Sequence, residues 1–415
     1  MTKKNPVYLT VLLVALAIVI TFQTTFILTE GYKKDTPADT AGDGSQTQII
    51  SAETYTKLQE IAAYYAAYFP DDIDSEEVEN YLISALIAGA GDTFGNYVSA
   101  EGLEEYISNI SGSYKGIGVS VIYNSEHGVI EVVSVFPDSP AEKAGVLPGD
   151  LVTYVGIGEG RQSVFEIGYY KAIELIRGEQ GTMAEFVVMR DGEEKEFSVE
   201  RDDVTNQTVQ FHMYSKDSRV AVIRITQFEK VTVEQFKAAM QSAEDAGAEA
   251  YVFDVRSNPG GELNTITEIL DMLLPEGPII RIHYKDESNN VQINSDAECI
   301  DAPMAVLCNG STASAGELFC SALKDYKKAT LVGTQTYGKG TMQSLQKLSD
   351  GAGLSLTVAY YLPPFSENYH GVGVEPNIVC DISQELKNVN LHKYTDENDN
   401  QLAEAVAALG LSIQG

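Results

Sequence analysis

Basic residues and cysteines are scarce in this chain. Lys and Arg number 28 against 60 Asp and Glu, so the formal net charge at pH 7 is −32. Such an excess of negative charge makes the phosphate backbone of nucleic acid a poor partner. The cysteines number only 4 and form no CxxC pair, which argues against a zinc ribbon and against a thioredoxin-type site. No spacing of potential ligands indicates a metal or an organic cofactor.

The chain is long and apolar enough to fold into more than one domain. A length of 415 residues corresponds to two or three domains at about 150 residues each. Hydrophobic residues make up 44% of the sequence, which gives enough buried apolar surface to offset the entropy of the chain. We therefore expect a folded protein of several domains.

An uncharged apolar segment occupies residues 7–28. It is long enough to span a bilayer, which needs about 20 residues, and Lys3 and Lys4 precede it, in agreement with the positive-inside rule. A cleaved signal peptide is the competing interpretation, because residues 15–17 read Ala-x-Ala, but the apolar residues continue well beyond them. We expect residues 1–29 to form a cytoplasmic head and a single-pass anchor in the cell membrane, with the rest of the chain extracytoplasmic.

Two segments of different composition follow the predicted anchor. Residues 30–50 are rich in Thr, Asp, Gly and Ala and have almost no apolar period, which is typical of a flexible linker. Within residues 51–111 apolar residues recur at helical spacing, and either Asp74 or Ser75 is a potential N-cap of the second run. A small N-terminal region of two or three helices is expected there.

Residues 112–202 have the pattern of a β-rich domain. Two strand-like runs lead to residues 139–150, where Pro and Gly indicate a turn, a short helix and a second turn. Residues 167–178 have a helical period that ends at a glycine C-cap, and a hairpin is predicted across Asp191 and Gly192. Together these features resemble a PDZ domain, a module that captures peptide C-termini.

The resemblance to a PDZ domain implies a binding site for a substrate C-terminus. In such domains a glycine-containing loop turns backbone N–H groups toward the peptide carboxylate, and the next strand pairs with the peptide. An ordinary hairpin turn is the alternative for this loop, and the glycine-rich residues 155–160 are longer than the usual turn of a PDZ domain. The residues implied in binding the C-terminus are Lys115, Gly116, Ile117, Gly118 and Val119.

Residues 203–381 alternate strand-like and helical runs, which predicts an α/β domain. Residues 251–256 and 303–309 have the pattern of buried strands, and residues 314–326 have apolar residues at helical spacing. The remaining residues, 382–415, are expected to form a C-terminal helical segment.

Residues with chemical potential cluster at the ends of the predicted strands. Residues 254–261 leave a buried strand for a Pro-Gly-Gly turn, which exposes backbone N–H groups where α/β ligands usually bind, so an oxyanion hole could form there. Residues 308–317 lead from a strand into a helix that begins near Ser314. The dipole of that helix and the amide of Ala315 would face a developing negative charge. Lys339 follows later in the chain, between two glycines.

A serine nucleophile needs a base, and the histidines do not supply one. All five histidines lie outside these loops, so a Ser-His-Asp triad has no evident base. Lys339 is the remaining candidate, because burial and apolar surroundings would lower its pKa toward neutrality.

Each of these residues also has a structural interpretation. Ser314 could be a simple N-cap, Lys339 a solvated surface residue and Gln343 a polar strand residue. Asp254 and Arg256 are interpreted as a structural ion pair. Glu317 is interpreted as a partner of the helix dipole, and Cys308 and Cys320 as packed thiols.

From about Tyr81 to Asp381 the chain resembles the carboxyl-terminal processing peptidases, the tail-specific Ser/Lys proteases of family S41, which have a PDZ domain. The order and spacing of the matching motifs are highly specific. Thr312 and Gly316 depart from the family pattern, which commonly has serine at both positions. The matching motifs lie at residues 91–102, 114–119, 254–261, 308–317, 336–343 and 371–378.

The family resemblance implies a crotonase-like ββα-spiral protease core in a chain of α+β or α/β class. It implies a serine endopeptidase that recognises substrate C-termini through its PDZ domain and needs no cofactor. The roles that it assigns are nucleophile for Ser314, general base for Lys339, an amide assisting the lysine for Gln343, and oxyanion donors for Gly260 and Ala315.

The resemblance also implies a gate and a set of partners. Arg177 occupies a position where the family can have a basic residue linking the PDZ domain to the active site, with a surface arginine at a helix end as the alternative. Proteins or peptides with accessible C-termini and the membrane are the expected partners, and a homo-oligomer is left open. Two other functions are weighed: a catalytically inactive PDZ-containing adaptor, and a crotonase-type enzyme acting on acyl thioesters.

Overall fold

A computed structural model describes residues 49–104, 106–107, 113–124, 127–387 and 389–411. The anchor predicted at 1–29 and nearly all of the linker predicted at 30–50 lie outside the described residues. In the described part of the chain, no helix is both long and apolar enough to cross a membrane.

Helices and strands alternate along most of the described chain. The α-helices are α1 (Ala52–Tyr68), α2 (Ser75–Gly89), α3 (Pro140–Ala144), α4 (Val164–Ile167), α5 (Tyr169–Ile176), α6 (Thr232–Asp245), α7 (Leu263–Asp271), α8 (Ala315–Asp325) and α9 (Asn400–Ala408). The first strands are β1 (Asn96–Val98), β2 (Ser113–Gly116), β3 (Val119–Asn124), β4 (Val129–Val135), β5 (Leu151–Val155), β6 (Gln162–Ser163), β7 (Met183–Arg190), β8 (Glu193–Glu200), β9 (Asp202–Thr205) and β10 (Val209–Met213). The later strands are β11 (Val220–Ile225), β12 (Ala250–Asp254), β13 (Gly277–Tyr284), β14 (Val291–Ser295), β15 (Met304–Cys308), β16 (Ala329–Gly333), β17 (Thr341–Lys347), β18 (Gly353–Leu362) and β19 (Ile378–Val379).

The two N-terminal helices stand apart from the hydrophobic cores. Of the two predicted N-caps of α2, Asp74 is the cap, since its carboxylate accepts hydrogen bonds from the amides of Glu76 and Glu77 at 3.0 and 3.2 Å. No residue of α1 or α2 is buried. Their apolar faces, which led to the prediction of helices, are therefore open to solvent.

The region predicted as PDZ-like is a six-stranded antiparallel sheet of order β3-β4-β5-β7-β8, with β6 paired to β5. Strand β3 is at the edge, and α5 packs over the sheet with Ala172 in its core. The predicted hairpin across Asp191 and Gly192 is confirmed. The predicted helix 167–178 is wrong in its limits, because Gly168, with φ 83°, separates α4 from α5, and the C-cap is Arg177.

A second six-stranded sheet has the order β10-β11-β12-β15-β16-β19 and is parallel except for β10. Alternate residues of β12, one of its two central strands, face opposite sides of the sheet. Tyr251 and Phe253 join the core formed with α6, α7 and α8, whereas Ala250 and Val252 join the core formed with α9. The expected α/β domain is confirmed, and its strands end at one edge, near the candidate active site.

A third large sheet is antiparallel, of order β1-β18-β13-β14, with β17 also paired to β18, and β2 pairs with β9 in a separate two-stranded sheet. Strand β1 follows α2 and pairs Asn96 with Ser355 and Val98 with Gly353. This pairing attaches the N-terminal region to the α/β domain.

The C-terminal segment 382–415 is expected from its sequence to be helical, but among its described residues only α9 and one 3₁₀ turn are helical. Asn side chains stabilise turns in the rest of the segment. For example, the side chain of Asn398 accepts a hydrogen bond from the amide of Thr395 at 2.8 Å.

Candidate active site

Ser314 lies between β15 and α8, as the N-cap of the helix, in a strained backbone conformation. Its φ of 54° and ψ of −119° are unusual for a residue with a side chain and cost about 1–3 kcal/mol. A sharp turn from strand to helix is the arrangement that presents nucleophilic serines in other hydrolases. The residue is fully buried, and its amide donates to the Glu317 carboxylate at 3.0 Å.

Gly260 is packed against the nucleophile turn. A β-carbon on this glycine would lie 2.7 Å from Cβ of Ser314 and 2.9 Å from the amide nitrogen of Ala315, and its φ is 108°. The two predicted oxyanion donors therefore lie beside Ser314. In this conformation the amide of Gly260 donates to Oδ1 of Asn258 at 2.8 Å.

Glu317 joins the serine turn to the lysine loop. Its carboxylate accepts from the amide of Lys339 at 2.7 Å, from the amide of Gly338 at 2.6 Å and from the hydroxyl of Thr336 at 2.5 Å, in addition to Ser314. Burial raises the pKa of Glu317 above its usual value, and these donors oppose that shift. The interpretation of Glu317 as only a dipole partner missed this connecting role.

Lys339 is fully buried, so the interpretation of a solvated surface lysine is wrong. Burial lowers its pKa from 10.5 to about 7, against the opposite effect of the carboxylates of Glu317 and Asp92. Its Nζ lies 4.7 Å from the ring centroid of Phe94 and has no hydrogen-bond partner among the described residues. Close to neutral pH, a large fraction of this amine is unprotonated and able to accept a proton.

Gln343 on β17 has a buried side-chain amide whose nitrogen and oxygen differ in their hydrogen bonding. Its Nε2 donates to the hydroxyls of Thr341 at 3.1 Å and Thr357 at 3.0 Å. Its Oε1 has no partner in the part of the chain that the structure describes. An unused acceptor thus accompanies the unused donor on Lys339, and the two are not hydrogen-bonded to each other.

Two tyrosines contact Ser314. The hydroxyl of Tyr361 lies 3.5 Å from Oγ of Ser314 and donates to the carbonyl of Lys339 at 2.8 Å. The hydroxyl of Tyr369 donates to the carbonyl of Ser314 at 3.3 Å. Burial raises the pKa of both phenols. Sequence reasoning missed both residues, because neither a tyrosine in a strand, such as Tyr361, nor one in a loop, such as Tyr369, carries a local signal of an active site.

The sequence of the α/β domain identifies its family. The sequence pattern of peptidase family S41 matches residues 219–380. The carboxy-terminal processing protease CtpA of Bacillus subtilis (strain 168) is 30% identical over 346 residues, which are 83% of this chain and 72% of that protein. The chain belongs to peptidase family S41.

Other S41 proteins agree with this assignment. A CtpA-like serine protease of Staphylococcus epidermidis is 29% identical over 339 residues, which are 80% of this chain and 67% of that protein. The solved structure of an S41 protease from Bacteroides fragilis NCTC 9343 has a TM-score of 0.56 and 15% identity, over 83% of this chain and 94% of that one. The chain therefore has a mixed α/β S41 protease fold and is similar to carboxy-terminal processing serine proteases.

In this S41 peptidase the residues predicted to bind a substrate C-terminus line a groove that Ser314 does not line. Lys115 to Val119 form one side of a groove of about 440 Å³, and α5 and Arg177 form the other. The guanidinium of Arg177 lies 5.8 Å from the ring centroid of Tyr114. The hydroxyl of Tyr114 donates at 3.0 Å to Oε1 of Glu229, a buried carboxyl in the α/β domain.

The remaining polar residues of the S41 domain have structural contacts. Arg256 forms buried ion pairs with Asp254 and with Asp399, both at 2.7 Å, so the structural interpretation of this pair is confirmed. Cys308 and Cys320 are unpaired thiols in the core, and Cys299 and Cys380 are also free. Among the described residues no cluster of His, Cys, Asp or Glu is arranged to hold a metal ion.

Proposed function

We propose that this S41 peptidase is a membrane-anchored, extracytoplasmic serine endopeptidase that uses Ser314 as nucleophile and Lys339 as general base. The observation that carries the proposal is the burial of Lys339, with a pKa of about 7, in the same cluster as a serine on a strained helix N-cap. A buried amine without a hydrogen-bond partner is costly for the fold, and its role as a base accounts for it.

The proposed reaction is acyl transfer. The lone pair of the neutral Lys339 amine takes the proton from Oγ of Ser314, and Oγ forms a bond to the carbonyl carbon of the substrate. The carbonyl electron pair moves to oxygen, where the amides of Gly260 and Ala315 stabilise the negative charge. Collapse of this intermediate breaks the C–N bond, and the leaving amine takes the proton back from the Lys339 ammonium. Water then hydrolyses the ester on Ser314 by the same steps.

Two local changes convert the observed arrangement into the proposed reactive one. The amine of Lys339 has to move within hydrogen-bond distance of Oγ of Ser314, which now has the Tyr361 hydroxyl at 3.5 Å. The amide of Gly260 has to exchange Asn258 for the substrate oxyanion. We infer that the described conformation is a resting state and that substrate binding favours the reactive one.

The groove between residues 115–119 and α5 is proposed to act as a PDZ site for substrate C-termini. Two observations support this role: β3 is an edge strand to which a peptide strand can be added, and residues 115–119, which lead into that strand, line the groove. Arg177 lies beside Tyr114 and Tyr114 bonds Glu229, whose neighbour Phe228 donates its amide to the carbonyl of Gly260 at 2.9 Å. A gate through these contacts would act on the oxyanion loop.

Anchoring, export and self-association complete the proposal. The apolar residues 7–28 support an anchor with the catalytic domain outside the cytoplasm. The exposed apolar side chains of α1 and α2, such as Tyr64 and Leu82, support a homo-oligomer formed through these helices. Protease accessibility in intact cells tests the topology, and light scattering of the detergent-solubilised protein tests the assembly.

Cleavage of an unstructured protein by the purified full-length chain tests the central proposal. We expect peptide products with the wild-type protein and none with Ser314→Ala, as identified by mass spectrometry. Binding of the substrate without cleavage by the wild-type protein would instead indicate the PDZ-containing adaptor.

A further inference from the structure

We propose that the segment of residues 92–94 is part of the catalytic apparatus, in which Asp92 positions Gln343 through Thr357 and Phe94 covers the amine of Lys339. This inference rests on the proposed Ser314 and Lys339 chemistry. Asp92 and Phe94 belong to the motif at residues 91–102 and precede residues 219–380, which match the sequence pattern of peptidase family S41.

Asp92 makes two hydrogen bonds to Thr357. Its Oδ2 accepts from the backbone amide at 2.8 Å, and its Oδ1 accepts from the side-chain hydroxyl at 2.7 Å. A carboxylate can only accept, and a threonine hydroxyl has a single proton. The proton of Thr357 is therefore directed to Asp92, and its oxygen is left as an acceptor.

This acceptor fixes the orientation of the Gln343 amide. Nε2 of Gln343 lies 3.0 Å from Oγ1 of Thr357, and only the NH₂ end of the amide can donate to that oxygen. Without Asp92 the hydroxyl could donate instead, and the amide could bind in either orientation. The charge of Asp92 thus decides that Oε1, the buried atom without a partner among the described residues, remains available as an acceptor.

The strand pairing places Gln343 opposite Thr357. The two residues are register partners between β17 and β18, and the register shifts between Met342 and Gln343. Such an irregularity re-aims the side chain that follows it. An acceptor at Oε1 suits the lysine. A hydrogen bond donated by Nζ of Lys339 to Oε1 would direct the lone pair of Nζ toward Oγ of Ser314, and it would stabilise the ammonium after proton transfer.

Phe94 covers the same amine from the other side. Its ring centroid lies 4.7 Å from Nζ of Lys339, and its own amide donates to Oδ1 of Asp92 at 3.2 Å. The ring of His370 supports it at 6.2 Å between centroids. The ring shields the buried amine from water, and Asp92 fixes the backbone of Phe94, so one short segment controls both the solvation of the base and the orientation of its acceptor.

Among the described residues, the titratable groups near Lys339 are Asp92, Glu317, Tyr361, whose hydroxyl donates to the Lys339 carbonyl, and, behind Phe94, His370. The first two favour the ammonium form, whereas burial beneath Phe94 favours the neutral amine. Removing the charge of Asp92 should therefore lower the pKa of Lys339, and exposing the amine should raise it. Asp92→Asn and Phe94→Ala are therefore expected to shift the pH profile of kcat/KM in opposite directions.

Steady-state kinetics of the full-length protein against an unstructured substrate, measured from pH 5 to 9, test the inference. Asp92→Asn should lower kcat at least about tenfold, because a positioned base contributes roughly 10²- to 10⁴-fold and only its positioning is impaired. The same substitution should move the acidic limb of the kcat/KM profile to lower pH. Phe94→Ala should move that limb to higher pH, and Phe94→Leu should leave it close to that of wild type. Asp71→Asn, which removes an exposed carboxylate of the same region, is the control for charge and should leave both unchanged.

Thr357→Val and Thr357→Ser decide the question even if the Asp92 variant does not fold. Valine keeps the shape and removes the hydroxyl, so it should lower kcat with little change in KM, and serine should restore kcat. Equal kcat for both variants, or unshifted acidic limbs for the Asp92 and Phe94 variants, would overturn the inference. If that happened while Ser314→Ala remained inactive, the proposed function would stand; cleavage by Ser314→Ala would overturn the proposed function itself.

Discussion

Gly260 approaches Ser314 so closely that a β-carbon on the glycine would lie 2.7 Å from Cβ of the serine. Gly260→Ala should therefore displace one of the two loops and lower kcat/KM by at least about a hundredfold, the effect typical of losing one oxyanion donor. The unfolding free energy should also fall, by about 1–3 kcal/mol, because alanine is strained at a φ of 108°. Kinetics and urea denaturation check this. Gly89→Ala, where an added β-carbon meets no atom within 4 Å, should leave kcat/KM unchanged and should not lower the unfolding free energy, because Gly89 is the last residue of α2 and alanine favours a helix.

Ser314→Ala and Lys339→Ala should each abolish peptide hydrolysis, because the two residues act as one unit in acyl transfer. Lys339→Arg should be equally inactive, since a guanidinium stays protonated and cannot take the serine proton. In the wild-type protein kcat/KM should rise with pH through about pH 7, as Lys339 loses its proton. A rate that is independent of pH between 5 and 9 would contradict Lys339 as the base.

Glu229 should make stability depend on pH. Burial raises its pKa from 4.5 to about 7, so the folded state binds a proton more tightly than the unfolded state does. The stabilisation is complete below about pH 4.5 and is lost as the pH rises to about 7, by an amount of about 3 kcal/mol at most, since one pKa unit is worth about 1.4 kcal/mol. Thermal denaturation of wild type and Glu229→Gln across this range measures the difference. Parallel curves for the two proteins would show that Glu229 does not titrate as proposed.

The groove should select substrates by their C-termini. Amidating the last residue removes the carboxylate that residues 115–119 are proposed to bind, so the substrate with the free acid should be cleaved faster. Tyr114→Phe removes the hydrogen bond to Glu229, and Arg177→Ala removes the guanidinium beside the tyrosine ring. Both variants should reduce the advantage of the free acid. Equal rates for the two substrates with wild type would refute selection, and an undiminished advantage in both variants would refute the gate.

Arg256 should contribute to stability through the C-terminal helix. It forms buried ion pairs with Asp254 and with Asp399, the N-cap of α9. Asp399→Asn leaves part of the Arg256 charge unpaired and weakens the cap, so the unfolding free energy should fall by about 3 kcal/mol, near the lower limit for breaking a buried pair. Denaturant titration checks the value, with Glu397→Gln, which changes an exposed carboxylate in the same loop, expected to cost less than about 1 kcal/mol.

The residues that sequence reasoning placed in the site share one property: each lies in a short string whose chemistry is local. Ser314 before an apolar helix, Lys339 between glycines and Gly260 in a Pro-Gly-Gly turn are such cases. Asp92 and Thr357 are 265 positions apart, and no local pattern links them. Their contact follows from the pairing of β1 with β18, which is set by the complete fold.

The fold was predictable to a similar extent. Buried apolar runs predicted β12 and β15, and the period of α8 was clear. Helix α7 and the hairpin of β13 and β14 were not predicted. No side chain among the described residues caps α7, so the start of this short helix has no signal in the sequence, although Ile266 and Ile269 recur at helical spacing and pack in the core.

The backbone of Ser314 implies a trade-off between stability and activity. At a φ of 54° every residue with a β-carbon is strained, and Ser314→Ala retains that strain, whereas glycine adopts the conformation freely. The strain that Ser314→Gly would relieve, about 1–3 kcal/mol, equals or exceeds the roughly 1 kcal/mol that glycine costs through the entropy of the unfolded chain. Random mutation at this position can therefore gain stability by losing the nucleophile, so only selection for proteolysis would maintain the serine.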